Sequence, residues 1–158
     1  MNNLFVNRQA FVPHLRAKSV AHINYSELRN AGIEYIMFDK DNTLTEPYVR
    51  DYFNTTLELA IKTDCQAAFG NENMAVLSNS VGSKDDPGHA EAIIVEGTLG
   101  MAVIRHERKK PAVRDDVLDH FKTQDIEKVA IVGDRILSDI VMGNNHGMFT
   151  IYVEPLNV

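Results

Sequence analysis

Five short apolar runs, at residues 33–38, 74–77, 101–104, 129–132 and 149–153, are separated by longer stretches in which apolar residues recur at helical spacing. Val49, Phe53, Leu57 and Ala60/Ile61 repeat in this way to about Ala68; Val113, Val117, Leu118 and Phe121 share a face behind Pro111, which is expected to open its helix. A short helix is expected around 89–96, and another from the turn at Gly133-Asp134-Arg135 to about Asn145. Alternation of the two periods implies an α/β class: a parallel sheet of about five strands with helices on both faces, since parallel neighbours are joined by crossovers. Sheets of this kind bind ligands at the carboxyl ends of their strands, so the residues after each run carry the functional information.

The remaining composition bounds the answer. With 158 residues, 44% of them hydrophobic, the chain suits one domain that buries roughly 70% of its unfolded surface. A net charge of −6 disfavours a nucleic-acid partner. The lone Cys65 excludes an internal disulfide and reads as a small buried hydrophobe. No apolar run approaches the roughly 20 residues needed to cross a bilayer. The chain divides into an arm at 1–26, with no acid but with Arg8, Arg16 and Lys18 beside Leu4, Phe5, Val6, Phe11, Val12 and Leu15, and a domain at 27–158. Such an arm fits a peripheral contact with anionic lipid, a targeting segment, or a stretch packed on the domain.

Behind the first run, Asp39 and Asp41 stand one residue apart before the turn-prone Asn42-Thr43. Carboxylates at the end of a buried strand argue for a cation between them or a reaction at one of them. Ser78, behind the second run, offers a hydroxyl and backbone N–H groups to a phosphate oxygen. Arg105 to Pro111 form the densest basic cluster, and the fourth run ends in Gly133-Asp134 with Asp139 five residues further on. Each piece alone has a plain structural reading as a cap, a turn or a solvated loop. Their joint occurrence, one at each strand end, is the specific signal.

Asp39-Lys40-Asp41-Asn42-Thr43, Ser78, Lys110 and Gly133-Asp134 with Asp139 resemble the four motifs of the haloacid dehalogenase superfamily of phosphohydrolases, over about residues 33–153. Ser78-Asn79-Ser80, Asp85-Asp86-Pro87-Gly88, Arg105-His106 and Lys109-Lys110-Pro111 resemble a narrower group, the phosphatidylglycerophosphate phosphatases of mitochondria and plastids with their bacterial relatives. The resemblance implies a Rossmann-like core and a Mg²⁺-dependent reaction with Asp39 as nucleophile, forming an aspartyl-phosphate. It implies metal ligation by Asp39, Asp134 and the backbone carbonyl of Asp41, with Asp139 either a ligand or the group that orients a bound water. The Asp41 side chain would serve as general acid and then base, Ser78 and Asn79 would hold phosphate oxygens, and Lys110, preferred over Lys109 for its place before Pro111, would neutralise phosphoryl charge. Arg105 and His106 would meet a second phosphate or the head group, or form a solvated basic loop.

In the superfamily, cap domains enter after the first Asp pair or between the second and third motifs. Both intervals are short here, so no cap domain is expected, and the open site would suit a substrate that covers it, such as an anionic phospholipid. The leading expectation is removal of the terminal phosphate of phosphatidylglycerophosphate on the route to cardiolipin. The alternatives are the same chemistry on a soluble ester or phosphoprotein, and a non-catalytic regulatory domain with an acidic metal pocket, which Asp41 disfavours because such a domain needs no acid for a leaving alcohol. A eukaryotic source would imply the mitochondrial matrix at the inner membrane, a bacterial one the cytoplasm; a homo-oligomer would supply a neighbouring subunit as lid.

Overall fold

The computed structural model describes residues 8–156, so Leu4, Phe5 and Val6 of the arm lie outside the described residues. Its centre is a parallel sheet of six strands in the order β1-β6-β5-β2-β3-β4, formed by β1 (Leu15–Ala17), β2 (Tyr35–Phe38), β3 (Met74–Val76), β4 (Ala102–Val103), β5 (Val129–Gly133) and β6 (Phe149–Val153). Every residue of β3 and β5 is buried, the pattern of strands covered on both faces.

One face packs Ile36, Phe38, Val76 and Val132 against Leu28 of α1 (Tyr25–Asn30), Leu57 of α2 (Thr55–Leu59), Phe69 of α3 (Gln66–Phe69) and Val95 of α4 (Ala90–Leu99). The other packs Met37, Ala75, Leu77 and Ile131 against Val117, Leu118 and Phe121 of α5 (Arg114–Phe121) and against Met142 of α6 (Met142–His146). Wide-turn π segments at Ala60–Cys65 and Ile136–Val141 join α2 to α3 and lead into α6. Alternate residues of β2 thus serve opposite cores, which its near-continuous apolar run requires.

Two expectations about helix starts change. Asn54, whose side chain accepts from the Leu57 N–H, begins α2, so Val49 and Phe53 lie before the helix and are partly exposed. Pro111 lies ahead of α5, which starts at Arg114. The sixth strand, β1, comes from the arm: Leu15, Arg16 and Ala17 pair with Ile151, Tyr152 and Val153 at the sheet edge. Three residues with Arg in the middle carry no detectable strand period. Asn144 secures the turn before β1 by donating to the carbonyls of Ala10 and Val12.

The chain leaves β2 toward β3 and β4 on one side and returns to β5 and β6 on the other. The carboxyl ends of β2 and β5 therefore meet at the point where the strand order reverses, where open α/β sheets form clefts. Between β2 and β3, and again between β3 and β4, helix and loop alone intervene. No helix among the described residues is long and apolar enough to cross a membrane.

Candidate active site

The turn behind β2 sets two carboxylates in different surroundings. The Asp39 N–H still bonds to the Val132 carbonyl at 2.9 Å, so the ladder with β5 fixes its backbone. The chain then folds over the Lys40 carbonyl, which accepts from the N–H groups of Thr43, Leu44 and Thr45, with Asn42 in the left-handed region at φ 64° and Leu44 fully buried as anchor. Asp39 turns inward, whereas Asp41 Oδ1 accepts from Lys40 Nζ at 3.0 Å and from the Tyr48 N–H at 3.3 Å.

Lys110 Nζ stands between two acids, 2.9 Å from Asp39 Oδ1 and 2.7 Å from Asp139 Oδ1, and its side chain is 2% exposed. Burial alone would lower its pKa, but the charges of Asp39 and Asp139 outweigh burial and raise it, so the ammonium stays protonated. Asp139 is fully buried, and burial pushes its carboxyl up against the pull of Lys110. It reaches this position because residue 133 is glycine: a Cβ there would collide with Asp139 Oδ2. Asp134 is pushed up to about 7, first by burial and then by the charge of Asp39, although Thr43 Oγ1 donates to it at 3.1 Å.

Ligand atoms of Asp39, Asp134 and Asp139 lie within 4.8 Å of one another. Three carboxylates against one ammonium make a hard, oxygen-only donor set with uncompensated negative charge, and a divalent cation fits it. Asp139 already accepts on both oxygens, from Lys110 Nζ and from the Arg135 N–H. Asp39 and Asp134 are the carboxylates better placed to ligate directly. The Asp41 side chain is outside this cluster.

A pocket of about 200 Å³ opens above the cluster, lined by Asp39, Asp41, Ser78, Asn79, Ser80 and Lys110 among others. Ser78 Oγ accepts from the N–H groups of Ser80 and Val81, so it caps its own turn while facing the pocket. Asn79 Oδ1 accepts from the Lys110 N–H at 2.9 Å and thereby sets the backbone of the buried lysine. Lys109 also lines this pocket, but its ammonium is paired with Asp85 and not with the carboxylates of the cluster.

Arg105 and His106 do not join this set. Arg105 is bound to both oxygens of Glu96 and to the Val103 carbonyl. His106 is buried and bridges the carbonyls of Ser78, at 2.6 Å from Nε2, and of Arg108. It is neither a head-group contact nor part of a solvated loop; it knits the segment behind β4 to the one behind β3. Asp86 works in the same way, accepting from the N–H groups of Gly82, Glu91 and Ala92, which pull its carboxyl below the usual range despite its burial. Asp86 of the Asp-Pro-Gly word and His106 of the Arg-His word are therefore structural. Sequence reasoning gave no role to Lys40 or Thr43, both buried beside the carboxylates; their places inside the Asp-x-Asp-x-Thr word were the available signal.

A family model described as mitochondrial PGP phosphatase matches residues 1–157. The chain belongs to this family. Among its curated relatives, the chloroplastic phosphatidylglycerophosphate phosphatase 1 of Chlamydomonas reinhardtii is 40% identical over 152 residues, covering 95% of this chain and 55% of that protein. The chloroplastic/mitochondrial phosphatidylglycerophosphate phosphatase 1 of Arabidopsis thaliana is 39% identical over 153 residues, 96% of this chain and 43% of that protein. The mitochondrial phosphatidylglycerophosphatase of Saccharomyces cerevisiae is 32% identical over 130 residues, 77% of this chain and 67% of that protein. The chain thus spans about half the length of the first two family members. No solved structure matches it significantly.

Proposed function

We propose that this protein is a Mg²⁺-dependent phosphatase that removes the terminal phosphate of phosphatidylglycerophosphate, leaving phosphatidylglycerol for cardiolipin synthesis. The observation that carries the reading is Lys110, buried between Asp39 and Asp139 at the mouth of an acidic cluster, in a chain of this family. Asp39 Oδ1 is committed to Lys110, so the attack on phosphorus falls to the other oxygen and forms the aspartyl-phosphate while the alcohol oxygen leaves on the opposite side. Held between Asp39, Asp134 and the Asp41 carbonyl, Mg²⁺ would supply the positive charge that offsets repulsion between a carboxylate and a phosphate dianion. Lys110 adds charge from a fixed, water-excluded position set by Asn79 at its backbone and Asp139 at its ammonium. Asp41, held by Lys40 and the Tyr48 N–H, gives a proton to the departing alkoxide and later takes one from the hydrolytic water, steps worth roughly 10²–10⁴-fold. Ser78 and the following N–H hold phosphate oxygens.

An uncapped pocket of about 200 Å³ takes a phosphoryl group and leaves the rest of the substrate outside, which favours a lipid head group presented at a surface. Leu137, 71% exposed, lies in the segment that carries Ser138 and Asp139, and Val12, 60% exposed, lies in the arm that also carries Arg16 and Lys18; these are the residues we assign to contact with an anionic bilayer. Truncation of residues 1–18 would delete β1, so Val12→Ser with Leu137→Ser is the cleaner variant: liposome binding is expected to fall, and unchanged flotation would remove this contact from the account. The relatives' names point to mitochondria or plastids for a eukaryotic source.

The direct test compares phosphate release from phosphatidylglycerophosphate in mixed micelles with release from glycerol 3-phosphate and an aryl phosphate. The expected result is a higher kcat/KM on the lipid that disappears with chelator. Preference for a soluble ester would move the substrate assignment, and no turnover on any ester would favour a binding domain.

A further inference from the structure

A second cleft adjoins the reaction pocket, and the carboxylate of Asp41 forms part of their shared wall. It measures about 560 Å³ and shares Asp41, Tyr48 and Ser80 with the smaller pocket. The alcohol leaving phosphorus departs opposite Asp39 and next to Asp41, so the group attached to that alcohol extends into this cleft. We propose that the cleft is a second-anion subsite in which Arg50 receives the phosphodiester of the substrate, exchanging its partner Glu91 for it. The proposal rests on the phosphatidylglycerophosphate reading and adds to it the residue that recognises the part of the head group that does not react.

The cations around the cleft single out Arg50. Lys40 is buried, and its ammonium is spent on Asp41 Oδ1, Thr45 Oγ1 and the Val49 carbonyl. Lys109 is paired with Asp85, and Arg105 is tied to Glu96. Arg50 donates from Nε and Nη2 to the two oxygens of Glu91, at 2.7 and 2.8 Å, with the two side chains 54% and 36% exposed. An ion pair this exposed is weak, and the same fork of donors fits two oxygens of a phosphodiester. Exchange therefore costs little.

The acids set the charge the subsite accepts. Asp86 is spent on three backbone N–H groups, Asp85 on Lys109 and Asp41 on Lys40, so Glu91 is the acid that Arg50 gives up for the diester. One guanidinium among acids suits a monoanion better than a dianion: a phosphodiester rather than a second phosphomonoester. Tyr48, 87% exposed and held at φ 62° with its N–H on Asp41, and Val81 and Pro87 supply apolar wall for the glycerol carbons between the two phosphates.

The test is NMR titration of the 158-residue, Mg²⁺-loaded chain with glycerophosphoglycerol, a phosphodiester with no cleavable monoester, and separately with orthophosphate. Arg50→Ala is expected to raise Kd for the diester by about tenfold relative to Kd for orthophosphate, the value of one charge-assisted contact. Arg50→Lys should recover part of it, and Glu91→Gln, which frees the guanidinium, should tighten diester binding. No diester binding by wild type, or equal shifts of both constants in Arg50→Ala, would overturn the subsite. Diester binding through Arg50 in a protein that fails to hydrolyse phosphatidylglycerophosphate would leave the subsite standing and remove the proposed function, so the two failures are separable.

Discussion

The segments behind β2 and β4 both deliver charge to the site, and they do so under opposite constraints. Behind β2, a central strand bonded on both sides, the ladder runs one residue past the strand and fixes Asp39, and the turn over the Lys40 carbonyl then fixes Asp41. Behind β4, a two-residue strand at the sheet edge, six charged or ionisable residues follow in a row and Lys110 is the one that reaches the carboxylates. The central strand aims its side chains through its own register. The edge strand needs outside help, from His106 on the Ser78 carbonyl and Asn79 on the Lys110 N–H. Position in the sheet decides how much a strand's own sequence says about the residues behind it.

Substitutions that separate these constraints test the contrast. Lys110→Met should have the largest effect: it leaves Asp39 and Asp139 buried without their cation, at a cost of about 3–5 kcal/mol in denaturant unfolding of the metal-free protein, and removes the activity. Lys109→Met, one residue away on an exposed pair, should change stability by less than about 0.5 kcal/mol. Comparable losses in the two variants would end the contrast. Gly133→Ala tests the central-strand side, since its Cβ collides with the Asp139 carboxylate; we expect about 1–3 kcal/mol of destabilisation, with a larger fractional loss of kcat than of folded protein.

His106→Ala should cost about 1–3 kcal/mol by leaving the Ser78 carbonyl without its donor, whereas Arg105→Ala, which breaks a partly exposed pair with Glu96, should cost less than about 1 kcal/mol. Thermal melts of both variants sharpen the claim that the Arg-His word is structural in one residue and peripheral in the other. A further test varies pH. Asp134 has its pKa raised from an ordinary 3.8 to about 7, so the folded metal-free protein keeps a proton that the unfolded chain releases. Its contribution to stability is then full below about 3.8 and is lost as pH rises through about 7, and wild type should lose stability relative to Asp134→Asn across that window. Added Mg²⁺ should shrink the difference, and a flat difference would remove the electrostatic account of the cluster.

The same contrast explains what was legible in the sequence. Asp39, Asp134 and Asp139 could be brought together on paper because β2 and β5 are long apolar runs whose ends are unambiguous, and the reversal of strand order joins those ends. Lys110 could be chosen over Lys109 on its place before Pro111, yet Pro111 does not start the helix, so that reason was incomplete; Asn79 and Asp139 hold the residue. Arg105 and His106 could not be sorted, because local pattern does not tell a buried histidine bridging two carbonyls from a solvated basic loop. β1 escaped notice because three residues with Arg16 at the centre, whose guanidinium lies over the Tyr152 ring, have no period to read. Lys40 and Thr43 stood inside the recognised word and were passed over, since burial of a lysine between two aspartates is a property of the folded turn.

The unequal division of work between Asp39 and Asp41 is the central claim, and chemical trapping tests it most directly. Protein mixed with phosphatidylglycerophosphate and Mg²⁺ is quenched, reduced with borohydride and mapped by mass spectrometry. Conversion of residue 39 to homoserine only when substrate is present is the predicted result; homoserine at residue 41, or none at either position while phosphate is being released, would contradict it.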